Sequence, residues 1–135
     1  MRWYAVRGHR VLATDRIAPD EVPAGLLPDG ATYRLLDVTR DEDWAAAMEW
    51  VQQTWGGLDV LVNNAGVAAG GRLDLIDMDE WHRVLDINLL GVVRGCRSAL
   101  PLLRVQRGGT IVNVASVAGL VHAPSLASYL SLIHI

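Results

Sequence analysis

The sequence predicts an α/β fold built on an open parallel sheet, and three observations predict it. Short β-type runs alternate with longer segments of helical periodicity. The intervals between consecutive runs are long enough for crossover helices, which parallel strands require. Each run ends on its carboxyl side in polar or glycine residues, namely Asp15, Asp37, the Asn63–Gly66 run and Ser116. In open parallel sheets, ligands sit at that end of the strands.

In chain order, Arg10 to Thr14 (RVLAT) is the first short strand, ending at Asp15. The Pro- and Gly-rich stretch from Pro19 to Gly30 is loop. Thr32 to Leu36 is the second strand, ending at Asp37. Thr39 is placed to open a helix, with Glu42 three residues on as its capping-box partner. Trp44, Met48, Val51 and Trp55 recur at helical spacing and give that helix one apolar face, and Gly56-Gly57 stops it. Leu58 to Val62 (LDVLV) is the third strand, broken by Asn63-Asn64-Ala65-Gly66 and followed by a loop holding Gly66, Gly70 and Gly71. Asp77 with Glu80 marks the next helix start. Trp81, Leu85, Leu89, Val92, Cys96, Ala99 and Leu103 draw an apolar stripe along one long helix, which Gly108-Gly109 ends. Thr110 to Val114 (TIVNV) is the fourth strand, leading into Ala115-Ser116.

Composition narrows the function classes. At 135 residues the chain accommodates one domain. Apolar residues make up 51% and charged residues 20%, enough for a packed core and unlike a disordered chain. A net charge of −3 leaves no basic excess to neutralise phosphates, so neither nucleic acid nor an anionic membrane surface is an expected partner. No apolar run approaches the ~18–20 residues of a membrane span, and the N-terminus from Met1 to Arg7 reaches a charge too soon to hold a signal-peptide apolar core. A cytoplasmic location is expected. The single cysteine, Cys96, excludes an internal disulfide and a cysteine-based zinc site. His9, His82, His122 and His134 show no metal-ligand spacing, so no metal is expected. All twelve basic residues are arginine, so this chain performs no chemistry that needs a lysine ammonium.

Four features together resemble the short-chain dehydrogenase/reductase family. They are Asn63-Asn64-Ala65-Gly66 within LDVLVNNAG, Asn88 within DINLLG, Ser116 within IVNVASVAG, and Tyr129 thirteen residues beyond Ser116. The resemblance covers roughly residues 5 to 129. It implies a Rossmann-like, doubly wound parallel sheet and hydride transfer between a nicotinamide cofactor and an alcohol or ketone. In such enzymes the cofactor carries the hydride chemistry, while the protein supplies orientation and the acid or base. By the resemblance, Tyr129 is the proton donor or acceptor. A free tyrosine has a pKa near ~10, and the family lowers it with a lysine four residues on and the positive nicotinamide. Ser116 would hydrogen-bond the substrate oxygen. Asn88 would break its helix locally and hold a water of the proton relay. Asn63 to Gly66 would brace the sheet and line the adenosine side of the crevice, with Asn64, Ala65 and Gly66 at the cofactor. Asp37 and Val38 would lie at the adenine region, and Asp15 at the ribose hydroxyls. A carboxylate at Asp15 repels a 2′-phosphate and favours NAD over NADP, although the neighbouring Arg16 could accommodate that phosphate.

Both ends depart from the family pattern. Its glycine-rich turn lies ~20 residues before the ribose-binding acid. Only fourteen residues precede Asp15, with one glycine, Gly8. The first strand, its phosphate-binding turn and most of the first helix are therefore expected to be missing, with Tyr4 to His9 as the tail of that helix and its stop. At the other end Ile133 stands at the lysine position. The final LSLIHI matches the in-frame translation of a common transposase sequencing adapter, so residues 130–135 are expected to be a non-native tail on a single truncated dinucleotide-binding domain, 1–135. In the family sheet the missing strand is central, so two strand pairs would lose their shared neighbour and expose apolar edges. An aggregation-prone chain without catalytic activity is expected, with the complete protein a homo-oligomer.

Blander readings stand beside these. Ser116 alone reads as a capping serine, Asn88 as a tolerated polar residue and Tyr129 as a half-buried aromatic; their order and spacing favour the family roles. Asp59, at the start of a strand, supports the sheet. The five tryptophans read as core or helix-packing anchors. The loop from Val67 to Leu75 and the stretch from Leu120 to Leu126 would line part of a pocket for a non-ionic substrate. The alternative function is a catalytically dead relative serving as a binding or interaction module. A flavodoxin-like binding domain would need a phosphate-binding loop after its first strand, which the chain lacks.

Overall fold

The computed structural model describes all residues except 107, 121–125 and 135, together with the side chains up to 131. The expectations placed on His122, on the side chains of Ile133 and His134, and on most of the stretch from Leu120 to Leu126 fall outside the described residues.

A one-turn helix α1 (Arg2–Ala5) ends in a turn that Gly8 closes at φ 78°. It occupies the place expected for a helix tail and its stop. Strand β1 (Val11–Asp15) pairs in parallel with β2 (Ala31–Leu35), Val11 opposite Ala31 and Asp15 opposite Leu35. Helix α2 (Asp41–Trp55) crosses over to β3 (Val60–Asn63). Helix α3 (Met78–Leu85), a π-turn (Asp86–Leu90) and α4 (Gly91–Val105) lead to β4 (Thr110–Asn113), which pairs in parallel with β3. A 3₁₀ turn (Val117–Gly119) and α5 (Ala127–His134) complete the described elements.

The parallel sheet is divided into two halves, β1–β2 and β3–β4. This is the split expected if a central strand is missing, and the architecture is an incomplete Rossmann-like α/β fold. Side chains unite the halves. Leu36 from the end of β2, Trp44 and Ala47 from α2, Leu61 from β3, and Ala99 and Leu103 from α4 form one buried cluster. Arg10 donates to the Trp55 carbonyl at 3.2 Å and ties β1 to the end of α2. The other face of β3–β4 lacks such cover: Val62, Val112 and Val114 are exposed.

Several local expectations shift. Thr39 does not cap α2. The N-cap is Arg40, without a side-chain cap bond, because the Asp37 carboxylate takes both the Thr39 amide (2.9 Å) and its hydroxyl (2.7 Å). The long helix is interrupted by the π-turn, which shifts its phase. The buried stripe of α4 runs through Gly91, Gly95, Ala99 and Leu103, and Leu89 is exposed. Small residues occupy it because the neighbours come close. A Cβ on Gly95 would lie 2.5 Å from Asn63 Oδ1 and 2.8 Å from the Trp44 ring. That helix ends at Val105, before Gly108. Trp44 is the tryptophan in the core, whereas Trp3 is exposed. Asp77 caps α3 by accepting from the Glu80 amide at 2.8 Å, and Gly56 closes α2 in the left-handed conformation at φ 78°, both as the sequence indicates.

Candidate functional site

The carboxyl ends of β1, β2 and β3 open onto one cleft of about 660 Å³. One wall carries Asp15, Arg16, Asp37 and Val38; another carries Asn64, Ala65 and Gly66. All seven residues that sequence reasoning assigns to cofactor binding thus meet around a single space. The strands place them there: each leaves its strand at the point where hydrogen bonding ends and the backbone turns.

The acidic wall is internally ordered. The Asp15 carboxylate accepts from the Arg16 amide at 2.7 Å. The Asp37 amide donates to Asp43 Oδ2 at 2.8 Å, linking the end of β2 to the first turn of α2. The Thr39 amide and hydroxyl hold the Asp37 carboxyl below the ordinary carboxylate range, with the Arg16 and Arg40 guanidiniums adding to the effect. Asp37 therefore stays ionised on the cleft wall. Tyr33 backs this region; its hydroxyl donates to the Ile17 carbonyl at 2.6 Å. Burial, then the Asp15 charge, push its pKa up.

The opposite wall is braced from below. Asn63 is buried, and its Nδ2 donates to Asn113 Oδ1 at 2.9 Å, joining β3 to β4 through side chains as well as backbone. Trp44 reaches the cleft from α2, its indole N–H donating to the Val38 carbonyl at 3.1 Å. Arg83, Asp86, Ile87 and Gly91 also line the cleft and were missed by sequence reasoning. The available signal is DINLLG, where the helix is interrupted and Asp86, Ile87 and Gly91 come to the cleft.

The three residues assigned to catalysis do not line this cleft. Asn88 lies in the π-turn and grips the backbone of Val67: Oδ1 accepts from its amide at 2.8 Å and Nδ2 donates to its carbonyl at 2.9 Å. Ser116 caps the 3₁₀ turn, its Oγ accepting from the Ala118 amide at 3.1 Å, which is the blander role foreseen for it. Tyr129 is half-buried on α5, which packs against that turn. A parallel bridge between Gly71 and Leu126 brings the loop after β3 to the start of α5. Ser128, next to Tyr129, is buried with no hydrogen-bond partner for its hydroxyl among the described residues. Among those residues, no group of three potential ligands could hold a metal ion, and no helix is long and apolar enough to cross a membrane.

Known proteins are similar to this chain in sequence and in shape. The family model for short chain dehydrogenases matches residues 2–131. The trans-4-hydroxycyclohexanecarboxylate dehydrogenase of Sinomonas cyclohexanicum is 41% identical over 109 residues, 81% of this chain and 42% of that protein. The 3-alpha-(or 20-beta)-hydroxysteroid dehydrogenase of Mycobacterium bovis is 41% identical over 97 residues, 72% of this chain and 37% of that protein. The solved structure of ElxO with NADP bound superposes with a TM-score of 0.86 at 28% identity, covering 98% of this chain and 55% of that one. The chain thus spans about two fifths of the length of these curated relatives.

Proposed function

The chain belongs to the short-chain dehydrogenase family, and from that premise we propose that its cleft takes the adenosine half of a nicotinamide dinucleotide, in a protein that oxidises an alcohol or reduces a ketone. The observation that carries this reading is the meeting of Asp15, Arg16, Asp37, Val38, Asn64, Ala65 and Gly66 around one space at the strand ends.

The polar groups fit an adenosine. Asp15 offers a carboxylate to the ribose hydroxyls, and its charge disfavours a 2′-phosphate, so NAD is the expected cofactor ahead of NADP. Arg16 is the group that would reverse this preference. Asp37 and Val38 would face the adenine, and Asn64 to Gly66 form the opposite wall. When bound, the nicotinamide supplies or takes the hydride. The chain's own part is to orient and to move a proton. Tyr129 would exchange the proton at its hydroxyl, Ser116 would orient the substrate oxygen, and Asn88 would hold the relay beside Val67.

We infer that the 135 residues do not by themselves complete that chemistry. They hold no lysine to assist proton transfer at the Tyr129 hydroxyl. The lack of lysine favours a second reading, a binding or interaction module that retains the cleft without turnover. In the proposed enzyme, the exposed Leu89, Val93 and Leu100 would pack against a second copy. Titration of the chain with NAD, NADP and AMP, followed by tryptophan fluorescence, tests the cleft. Saturable quenching that weakens in Asp15→Ala is expected, and no response to any of the three nucleotides would sink the reading. NAD reduction above that of a Tyr129→Phe control would refute the inactivity of this chain.

A further inference from the structure

Arg94 lies one turn into α4, and its guanidinium reaches back over the π-turn. Nη1 donates to Asp86 Oδ1 at 2.7 Å and to the Asp86 carbonyl oxygen at 3.4 Å. Nε lies 3.4 Å from Asp41 Oδ1, at the start of α2. The Asp86 carbonyl is also the acceptor for the Gly91 amide, five residues on. That bond is what makes this turn a π-turn.

The spacing of the pair has a geometric consequence. On a regular α-helix, residues eight apart are rotated about 80° from one another. A π-turn absorbs one extra residue and brings positions 86 and 94 to within about 20° of one face. The Arg94–Asp86 contact therefore belongs to the π arrangement and would be lost in an uninterrupted α-helix. Its position also suits an arginine, whose side chain on a helix points back toward the N-terminus. The Arg94 side chain is 22% exposed and that of Asp86 39%, so water screens the contact in part, and its short, doubled geometry on the π-turn is what distinguishes it from a surface pair. Asp41 is 85% exposed and adds little.

The same turn displays Asn88, whose carboxamide makes both of its bonds to the Val67 backbone. In an α-helical register the side chains beyond Asp86 would swing round by about 100°, and Asn88 would leave Val67. We propose that Arg94 is a positioning residue that locks the π-turn and thereby fixes Asn88 on Val67, setting the path of the chain beyond the Asn63–Gly66 wall. The inference deepens the reading of Asn88 given above and rests on it for its purpose. The geometry itself is measured without any nucleotide, so absence of nucleotide binding would leave it standing.

The test is residue-resolved hydrogen exchange by NMR on the 135-residue chain and its Arg94→Gln, Arg94→Lys, Asp86→Asn and Asp41→Asn variants. Two ladder amides serve as internal references: Thr110, which donates to the Asp59 carbonyl at 2.8 Å, and Val114, which donates to the Asn63 carbonyl at 2.9 Å. In Arg94→Gln, exchange at Val67 is expected to accelerate by about tenfold, the scale of one charge-assisted hydrogen bond. The Asn88 carboxamide signals move with it, while the reference amides keep their rates. Arg94→Lys restores part of the protection, and Asp41→Asn matches the parent. Where Arg94→Gln does not fold, Asp86→Asn takes its place, with a smaller change in the same direction. Unchanged exchange at Val67, an equal rise at Thr110 and Val114, or the full effect in Asp41→Asn would each overturn the proposal.

Discussion

Gly95→Ala places one methyl group between the two halves of the molecule. It would stand 2.5 Å from Asn63 Oδ1, 2.8 Å from Trp44 Cη2 and 3.0 Å from Trp44 Cζ2. Neither neighbour yields easily. Asn63 is anchored on Asn113 at 2.9 Å, and Trp44 is buried with its indole N–H on the Val38 carbonyl. In favour of the substitution, alanine is better than glycine inside a helix by about 1 kcal/mol. Against it, overpacking a fixed core costs about 1–3 kcal/mol. Displacing a buried amide from its partner adds about 1–3 kcal/mol, partly the same strain counted through a different atom. The balance is a loss of about 2 kcal/mol, or roughly 8 °C in Tm for a domain of this size. Urea unfolding followed by tryptophan fluorescence measures it. Gly91→Ala, whose methyl would meet Val38 Cγ2 at 3.0 Å, should lose less. Gly108→Ala, with no atom within 4 Å, should stay within about 0.5 kcal/mol of the parent. A Gly95→Ala chain as stable as the parent would refute the reasoning, because the helix term alone would then have decided the outcome.

Three further outcomes follow from the structure. The Asp37 carboxyl has its pKa lowered in the fold, so its contribution is present above the unfolded value near ~4 and is lost as pH falls through the folded value. The stability gap between the parent and Asp37→Asn should therefore be full at neutral pH and shrink in acid; a gap that widens in acid contradicts this. Ser128→Ala removes a buried hydroxyl without a described partner and should be neutral or stabilising by up to about 1 kcal/mol; a clear loss in unfolding midpoint would show that the hydroxyl has a bond. Val62 and Val112 lie on the uncovered face of β3–β4. The chain should self-associate, and Val62→Thr with Val112→Thr should reduce light scattering; a sharp cooperative transition of a monomeric parent would speak against it.

What the sequence disclosed was mostly local. The Asp77 cap and the Gly56 stop depend on residues within one turn of themselves, and both are where their chemistry requires. The strands, and the polar groups at their ends, follow from runs of branched residues and the breaks after them. The cap expected at Thr39 does not form because an acid two residues earlier competes for the same amide and hydroxyl. Periodicity misplaces the stripe of the long helix because it assumes a constant number of residues per turn, and the π-turn violates that between Asp86 and Leu90. The glycines of α4 are core positions because Val38 closes on Gly91, and Asn63 and Trp44 close on Gly95, contacts that no local pattern encodes. Arg94 carries no local signal at all: its partners lie eight and fifty-three positions away.

The division of the sheet gives the molecule the form of an open book. Its spine is the packing of α2 on α4, and its two leaves are joined across the cleft by side chains rather than by a backbone ladder. Asp15 and Asp37 stand on one leaf and Asn64 to Gly66 on the other. A molecule that touches both leaves therefore acts as a staple. Once its concentration exceeds its dissociation constant, each tenfold increase adds about 1.4 kcal/mol to the cost of opening the book. Recognition and structural integrity in this chain are then one measurement, and a melting curve recorded against ligand concentration reads both.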